Sequence, residues 1–246
     1  VLALVEWLDG PFDDDWDGVV FANEVIDALP TPRFAIVDGQ VHEETVRVGA
    51  DGRFIAGTAP ADMLLEKAVR HIQATLGQPL AEGYRSEALM QLPYWVQAVA
   101  GGLKRGAMLF VDYGYVRSEY YQHDREQGTI RAFYRHQVHN DVFAWPGLQD
   151  ITASVDFTAM AEAGIGAGFE LAGYCSQASF LLGNGVDQVL AQAEVDADPR
   201  GQVALREQLK RLTLPNEMGE RFGVIGFQRD VDLEAAFHLG DLSWRL

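Results

Sequence analysis

GVVFANEVIDALP, residues 18–30, carries the first sign of the fold. Gly18–Ala22 is a short apolar run with β-branched and aromatic residues, which fits a strand buried on both faces, and it comes after a turn-like DDDWDG. The run empties into Asn23, Glu24 and Asp27, and Pro30 breaks the chain. The pattern returns at 107–114, AMLFVDYG, where a second apolar run ends in Asp112, Tyr113 and Gly114. Buried strands separated by helical sequence imply an α/β fold with a mostly parallel sheet and crossover helices. In such a sheet, ligands bind beyond the carboxyl ends of the strands. Asn23 and Asp112 could simply cap the segments after them, but two similar ends in one sheet favour a site.

Outward from these strands, RFAIVDGQVHEETVRV (33–48) reads as a hairpin turning at Asp38-Gly39, with DGRFIAG (51–57) extending the ribbon. Met63, Leu64, Leu65, Val69, Ile72 and Leu76 recur at helical spacing over 62–76. A second helix is expected over about 86–103, with Glu87 opening it. Residues 115–150 are polar and aromatic with weak periodicity, and their length favours a functional loop. Beyond them the order is a helix (DFTAMAEAGIGAGF), a strand (FELAGYC), two helices (179–194 and 200–214), a strand (RFGVIGFQ) and an irregular tail. With no internal repeat or linker, the chain reads as a single domain over 1–246, with insertions at about 33–105, 115–150 and 176–220.

Composition narrows the function. The 246 residues, 48% apolar and 11% aromatic, can build a core, and 36 acidic against 19 basic residues give a net charge of −17. That charge disfavours nucleic acid and anionic membranes and suits a basic partner or cationic substrate. The single cysteine, Cys175, excludes an internal disulfide and fits a reducing compartment. No apolar run approaches the roughly 20 residues of a spanning helix. VLALVEWLDG is too short and acidic for a signal peptide, and without an initiator Met the chain reads as part of a longer one.

Several chemistries find no support. His136, His139 and Asp141 are ligand-type residues, but no second cluster completes a metal pattern, so no metal is expected. There is no G-x-S-x-G elbow, P-loop or G-x-G-x-x-G, and GIGAG (164–168) comes after a helix, as a C-cap and turn would. Carboxylates remain. Glu24 and Asp27, three apart, would share a face in a helical turn, while Glu43 and Glu44 on one strand would point opposite ways. A carboxylate pair can hold a guanidinium and stabilise cationic character on a reacting nitrogen.

ANEVIDALP, EGYRSE (82–87), RGAMLFVDYGY (105–115), GTIRAFYRH (128–136), PGLQDITASVDF (146–157) and SQASFLLGNG (176–185) occur in the order seen in MidA-like methyltransferases. The chain resembles that family, which includes the mitochondrial complex I assembly factor acting on an arginine, from about residue 17 to about 228. The resemblance implies a Rossmann-like class I methyltransferase core with an antiparallel last strand, on which the four apolar strands look like the fourth to seventh. It implies S-adenosylmethionine as cofactor and methyl transfer to a nitrogen, by expectation a protein arginine. The first three strands, which in this family carry the glycine-rich loop, are not evident.

Carried over by position are Asn23, Glu24 and Asp27; Asp112, Tyr113 and Gly114; Gly128, Thr129 and Arg131; Asp150, Thr152, Asp156 and Phe157; and Gln177 and Phe180. The expected catalytic residues are Glu24, Asp27 and Asn23, with Asp27 or Glu87 as the partner of Glu24; Asn23, nearest the methyl donor, would also contact the cofactor. The other cofactor-binding residues are expected upstream of Val1. Glu87, Asp112, Tyr113, Arg131 and Asp150 are the expected substrate-binding residues, with His136 on the substrate face or ordering a loop. A protein acceptor with a basic side chain is the expected partner, and a homodimer is compatible with this reading. The expected location is the bacterial cytoplasm, or the mitochondrial matrix in a eukaryote. Two alternatives stand beside it: a methyltransferase-like binding module without catalysis, and a small-molecule methyltransferase.

Overall fold

A computed structural model of the chain describes residues 4–12, 14–135 and 137–246. In chain order its elements are β1 (Trp16–Asn23), β2 (Arg33–Val37), β3 (Gln40–Val48), β4 (Phe54–Pro60), α1 (Met63–Leu76), β5 (Arg85–Glu87), α2 (Leu92–Ala100) and β6 (Leu103–Tyr115). There follow α3 (Arg117–Tyr120), β7 (Arg131–Tyr134), β8 (Gln137–His139), β9 (Asp150–Thr152), β10 (Val155–Asp156) and α4 (Phe157–Gly166). The remainder is β11 (Glu170–Ser176), α5 (Gln177–Gly183), α6 (Val186–Val195), α7 (Pro199–Thr213) and β12 (Phe222–Arg229).

The main sheet has the order β1-β6-β12-β11, with β10 paired to the far end of β6. β1 and β10 run parallel to β6, whereas β12 is antiparallel to β6 and to β11. The expected parallel core with an antiparallel last strand is thus present. β6 lies at its centre because its apolar residues serve both faces. Met108 and Phe110 pack with Leu92, Val96 and Met160, while Val111 packs with Cys175, Val224 and Phe237. One expectation fails. β1 is not buried on both faces: Val20 and Ala22 pack on the core, but Val19 and Phe21 are 67% and 63% exposed. β1 is the last strand of this sheet among the described residues, and its second face is uncovered there.

A second sheet, β4-β3-β2-β5, contains the expected hairpin and its extension. α1 packs its Leu65, Val69 and Ile72 against Phe34 and Ile36 of this sheet. Asp62 caps α1 by accepting the Leu65 N–H (2.8 Å), and left-handed Gly77 ends it. The helix expected from 86 begins only at Leu92. Residues 85–87 instead pair with β2 as β5, so Glu87 lies on a strand, and Pro93 occupies the first turn of α2. Long-range pairing overrode the helical periodicity of this segment. Residues 115–150 contain α3 and two strands of the sheet β8-β7-β9, and the two helices expected near the C-terminus are three. Val1, upstream of which further cofactor-binding residues are expected, and His136, expected on the substrate face, both lie outside the described residues.

Candidate functional site

The parallel pairing of β1 with β6 aligns Asn23, the last residue of β1, with Val111; β6 does not end there as expected but stays paired through Asp112, Tyr113 and Gly114 to Tyr115. Glu24 remains tied to the ladder, its N–H donating to the Val111 carbonyl (2.9 Å), but its φ of +51° turns the chain sharply. That left-handed conformation is costly for a residue with a side chain and persists only where surrounding contacts enforce it. One such contact is Asp112, only 1% exposed. Its Oδ2 accepts the N–H groups of Ile26 (3.1 Å) and Asp27 (3.2 Å), and its Oδ1 that of Tyr113 (2.9 Å). A side chain from the C-terminal part of β6 therefore holds the turn after β1. That turn is not helical, and the expected common face for Glu24 and Asp27 does not form.

Asp27 instead turns inward. The Tyr113 hydroxyl donates to its Oδ2 (2.8 Å), and the Thr152 hydroxyl lies in short contact with the same phenolic oxygen. A phenol has one proton, so with that proton on Asp27 the Thr152 hydroxyl is the donor to Tyr113. The Asp27 carbonyl accepts the Ala153 N–H (3.0 Å), which fastens the β9–β10 connection over the turn. Together Asp27, Thr31, Ile130, Ile151 and Thr152 line a cavity of about 210 Å³.

Among the described residues, no cation is bonded to the acids of this cluster. Burial, reinforced by Asp150 and opposed by the Tyr113 hydrogen bond, raises the Asp27 carboxyl above the usual range. Burial and the neighbouring Asp27 charge push Asp112 up to about 7, against the pull of its three backbone donors. Burial likewise raises the Tyr113 phenol, keeping it a proton donor at neutral pH. Such displaced acids at strand ends mark candidate sites.

The other singled-out residues lie apart. Asn23 and Glu24 are exposed and bonded to each other (3.2 Å). Glu87 is enclosed: it accepts from Arg33 (2.5 Å), from the N–H groups of Thr129 (2.9 Å) and Ile130 (3.3 Å), and from the Tyr120 hydroxyl (3.4 Å). Glu44 is the inward member of its pair, bridging Arg33 and Arg85. This ion-pair network joins β2, β3 and β5. Gly128 is needed beside it, since its φ is +78° and a Cβ there would meet Glu87 Oε1 at 2.2 Å. Gly114 admits the β10 backbone, because its Cβ would lie 2.1 Å from the Val155 carbonyl oxygen. Arg131 is exposed on β7, its guanidinium donating to the Ile130 carbonyl (2.9 Å), and Asp150 opens β9 near Asp27. Arg33 carries no mark in the sequence as a site residue, although its place at the start of a hairpin rich in glutamate is a signal.

A family model described as "Putative S-adenosyl-L-methionine-dependent methyltransferase" matches residues 1–175. Protein arginine methyltransferase NDUFAF7, mitochondrial, of Danio rerio is 30% identical over 213 residues, covering 83% of this chain and 46% of that protein. The homolog of that name in Drosophila melanogaster is 28% identical over 216 residues, covering 83% and 45%. The crystal structure of a Burkholderia thailandensis protein bound to S-adenosyl-homocysteine superposes with a TM-score of 0.89 at 39% identity, covering 99% of this chain and 62% of the other. The chain spans about half the length of the curated relatives it matches.

Proposed function

We propose, given that this chain belongs to the family of S-adenosyl-L-methionine-dependent methyltransferases whose model it matches, that it forms the acceptor side of a protein-arginine N-methyltransferase. The observation that carries the reading is that Asp27, in the turn after β1, lines a cavity with Thr152 and is held by Tyr113 from the C-terminal part of the parallel neighbour β6. We treat the described elements as one domain whose insertions, at about 33–105, 115–150 and 176–220, surround that end of the sheet.

The residues fit one side of the cofactor. The exposed Asn23 carboxamide and Glu24 carboxylate present oxygen acceptors of the kind a sulfonium and an ammonium group require. When bound, the cofactor supplies an electrophilic methyl group. Asn23 and Glu24 would hold its cationic parts at the turn, and Glu24, three residues before Asp27, would polarise the acceptor. Asp27 would receive the N–H groups of an arginine side chain, oriented for that task by Tyr113. Transfer of a methyl group to a guanidinium nitrogen releases one proton, and a carboxylate whose affinity for protons is raised by burial is suited to take it. Asp150 would add negative charge at the mouth, and Arg131 would order the substrate face. Glu87 and Asp112 act as supports, since their oxygens are already engaged within the chain.

The acidic surface favours a basic protein acceptor. The setting would be a bacterial cytoplasm or a mitochondrial matrix; no helix among the described residues is long and apolar enough to cross a membrane. The test is calorimetry of S-adenosylmethionine binding by the complete protein, and then methyl transfer with Glu24→Gln. Binding in the micromolar range and a fall of about tenfold or more in turnover are expected. No measurable binding would favour a non-catalytic assembly module, and unchanged turnover at saturating acceptor would remove Glu24 from the mechanism.

A further inference from the structure

A second cavity, of about 330 Å³, opens where α1 and the segment before α2 meet the core. Leu64 and Ala68 of α1, Leu89 and Met90 before α2, Ile26 after β1 and Ala159 of α4 line it. It is thus built at the seam between two hydrophobic clusters, one around the main sheet and one around α1. Thr31 and Ala153 line both this cavity and the one that contains Asp27, so the two adjoin.

The buried charged groups in its walls are already engaged, whereas Lys67, which also lines it, is solvent-exposed. Arg117 donates to Asp156 (3.0 Å) and, with two nitrogens, to Glu162 (2.7 Å each). The Tyr121 hydroxyl donates to the Glu87 carbonyl (2.9 Å), and the Tyr120 hydroxyl is bonded to Thr129 (3.0 Å). A ligand entering here would meet mostly carbon, with no buried cation or anion left over to recognise a charge. The volume is at the lower end of the range for small-molecule pockets, roughly 300–1,000 Å³, and is suited to one or two side chains.

The geometry points to this cavity as a specificity pocket for an apolar side chain, of leucine, methionine or phenylalanine type, on the same polypeptide that presents its arginine to Asp27. This assignment rests on the methyl-acceptor reading above, because it is the adjoining Asp27 cavity that makes the occupant a neighbour of the modified residue. Burying such a side chain removes it from water, while the acidic surroundings attract the arginine beside it. The pocket would therefore select acceptors by the sequence context of the arginine as well as by its charge.

The pocket is tested without turnover by recording methyl NMR spectra of the protein, labelled at Ile, Leu and Met, during titration with N-acetyl-L-leucinamide or N-acetylglycinamide. The leucine probe is expected to shift the methyl signals of Ile26, Leu89 and Met90, with at least a tenfold weaker response to the glycine probe. Ala68→Trp, which fills the cavity, should lower the apparent affinity at least tenfold; Ala159→Met, a smaller change, serves if the first variant does not fold. Absence of shifts at these three residues, or equal shifts in a folded, filled variant, would overturn the assignment. With the complete protein, arginine pentapeptides carrying a neighbouring leucine should show a KM at least tenfold lower than glycine-flanked ones at similar kcat. Equal KM values would count against the pocket. Absence of methylation of every peptide together with leucine-probe binding would instead overturn the methyl-acceptor reading and, with it, the neighbour assigned to the pocket.

Discussion

Glu87 and Asp27 are both buried acids near the same end of the fold, yet their surroundings are opposite. Glu87 is surrounded by donors, with Arg33 bonded to its side chain and two backbone N–H groups closing over it. Asp27 has one phenolic donor, no cation bonded to it among the described residues, and two acids close by. The difference separates scaffold from site. A carboxylate that a guanidinium and amides already satisfy has little left to offer a ligand. One held in a cavity with a raised proton affinity still has bonding capacity that an acceptor can complete.

The contrast is most exposed to test on the scaffold side. Glu87→Ala should cost about 3–5 kcal/mol, because it leaves two buried amides without their acceptor and removes one of the two carboxylates bonded to Arg33. Denaturant unfolding measures it, and a loss below about 1 kcal/mol would erase the distinction. Gly128→Ala should cost about 2–3 kcal/mol by the same measurement, from its left-handed φ and the collision with Glu87.

The Asp27 side has a pH signature. Asp112, held at about 7 when folded, binds a proton that the unfolded chain releases above about pH 4. Its contribution to stability is complete below about pH 4 and is lost as pH rises through about 7. The raised Asp27 acts in the same direction. The difference in unfolding free energy between Asp112→Asn and the parent should therefore change by about 4 kcal/mol across that window; no change with pH would refute the raised value. The smallest effect expected is from Tyr113→Phe. Losing one hydroxyl should cost about 1 kcal/mol of stability, with about a tenfold drop in turnover of the complete protein. A stability loss with unchanged turnover would make Tyr113 purely structural.

What could be read from the sequence tracked the range of the interaction. The hairpin at 33–48, the helix at 62–76 and the apolar run at 107–111 announce themselves through neighbours a few residues apart. Residues 85–87 did not, since their strand pairing depends on a partner about fifty residues earlier. The exposure of Val19 and Phe21 depends on what covers a sheet face, which an apolar run cannot specify. At the site, the two polar strand ends were visible as residue types. Their grouping was not: spacing paired Glu24 with Asp27, whereas packing pairs Asp27 with Tyr113 and Thr152, 86 residues and more away.

On the proposed reading Asp27 faces the acceptor and is not part of the scaffold, and two properties of a single variant put that placement to the test. In the complete protein, Asp27→Asn should lower the rate of methyl transfer to an arginine-bearing acceptor about 100-fold. The unfolding free energy should stay within about 1 kcal/mol of the parent, because the substitution removes an acid that burial disfavours. Parent-level methyl transfer by the variant, or a loss of stability as large as that of Glu87→Ala, would contradict it.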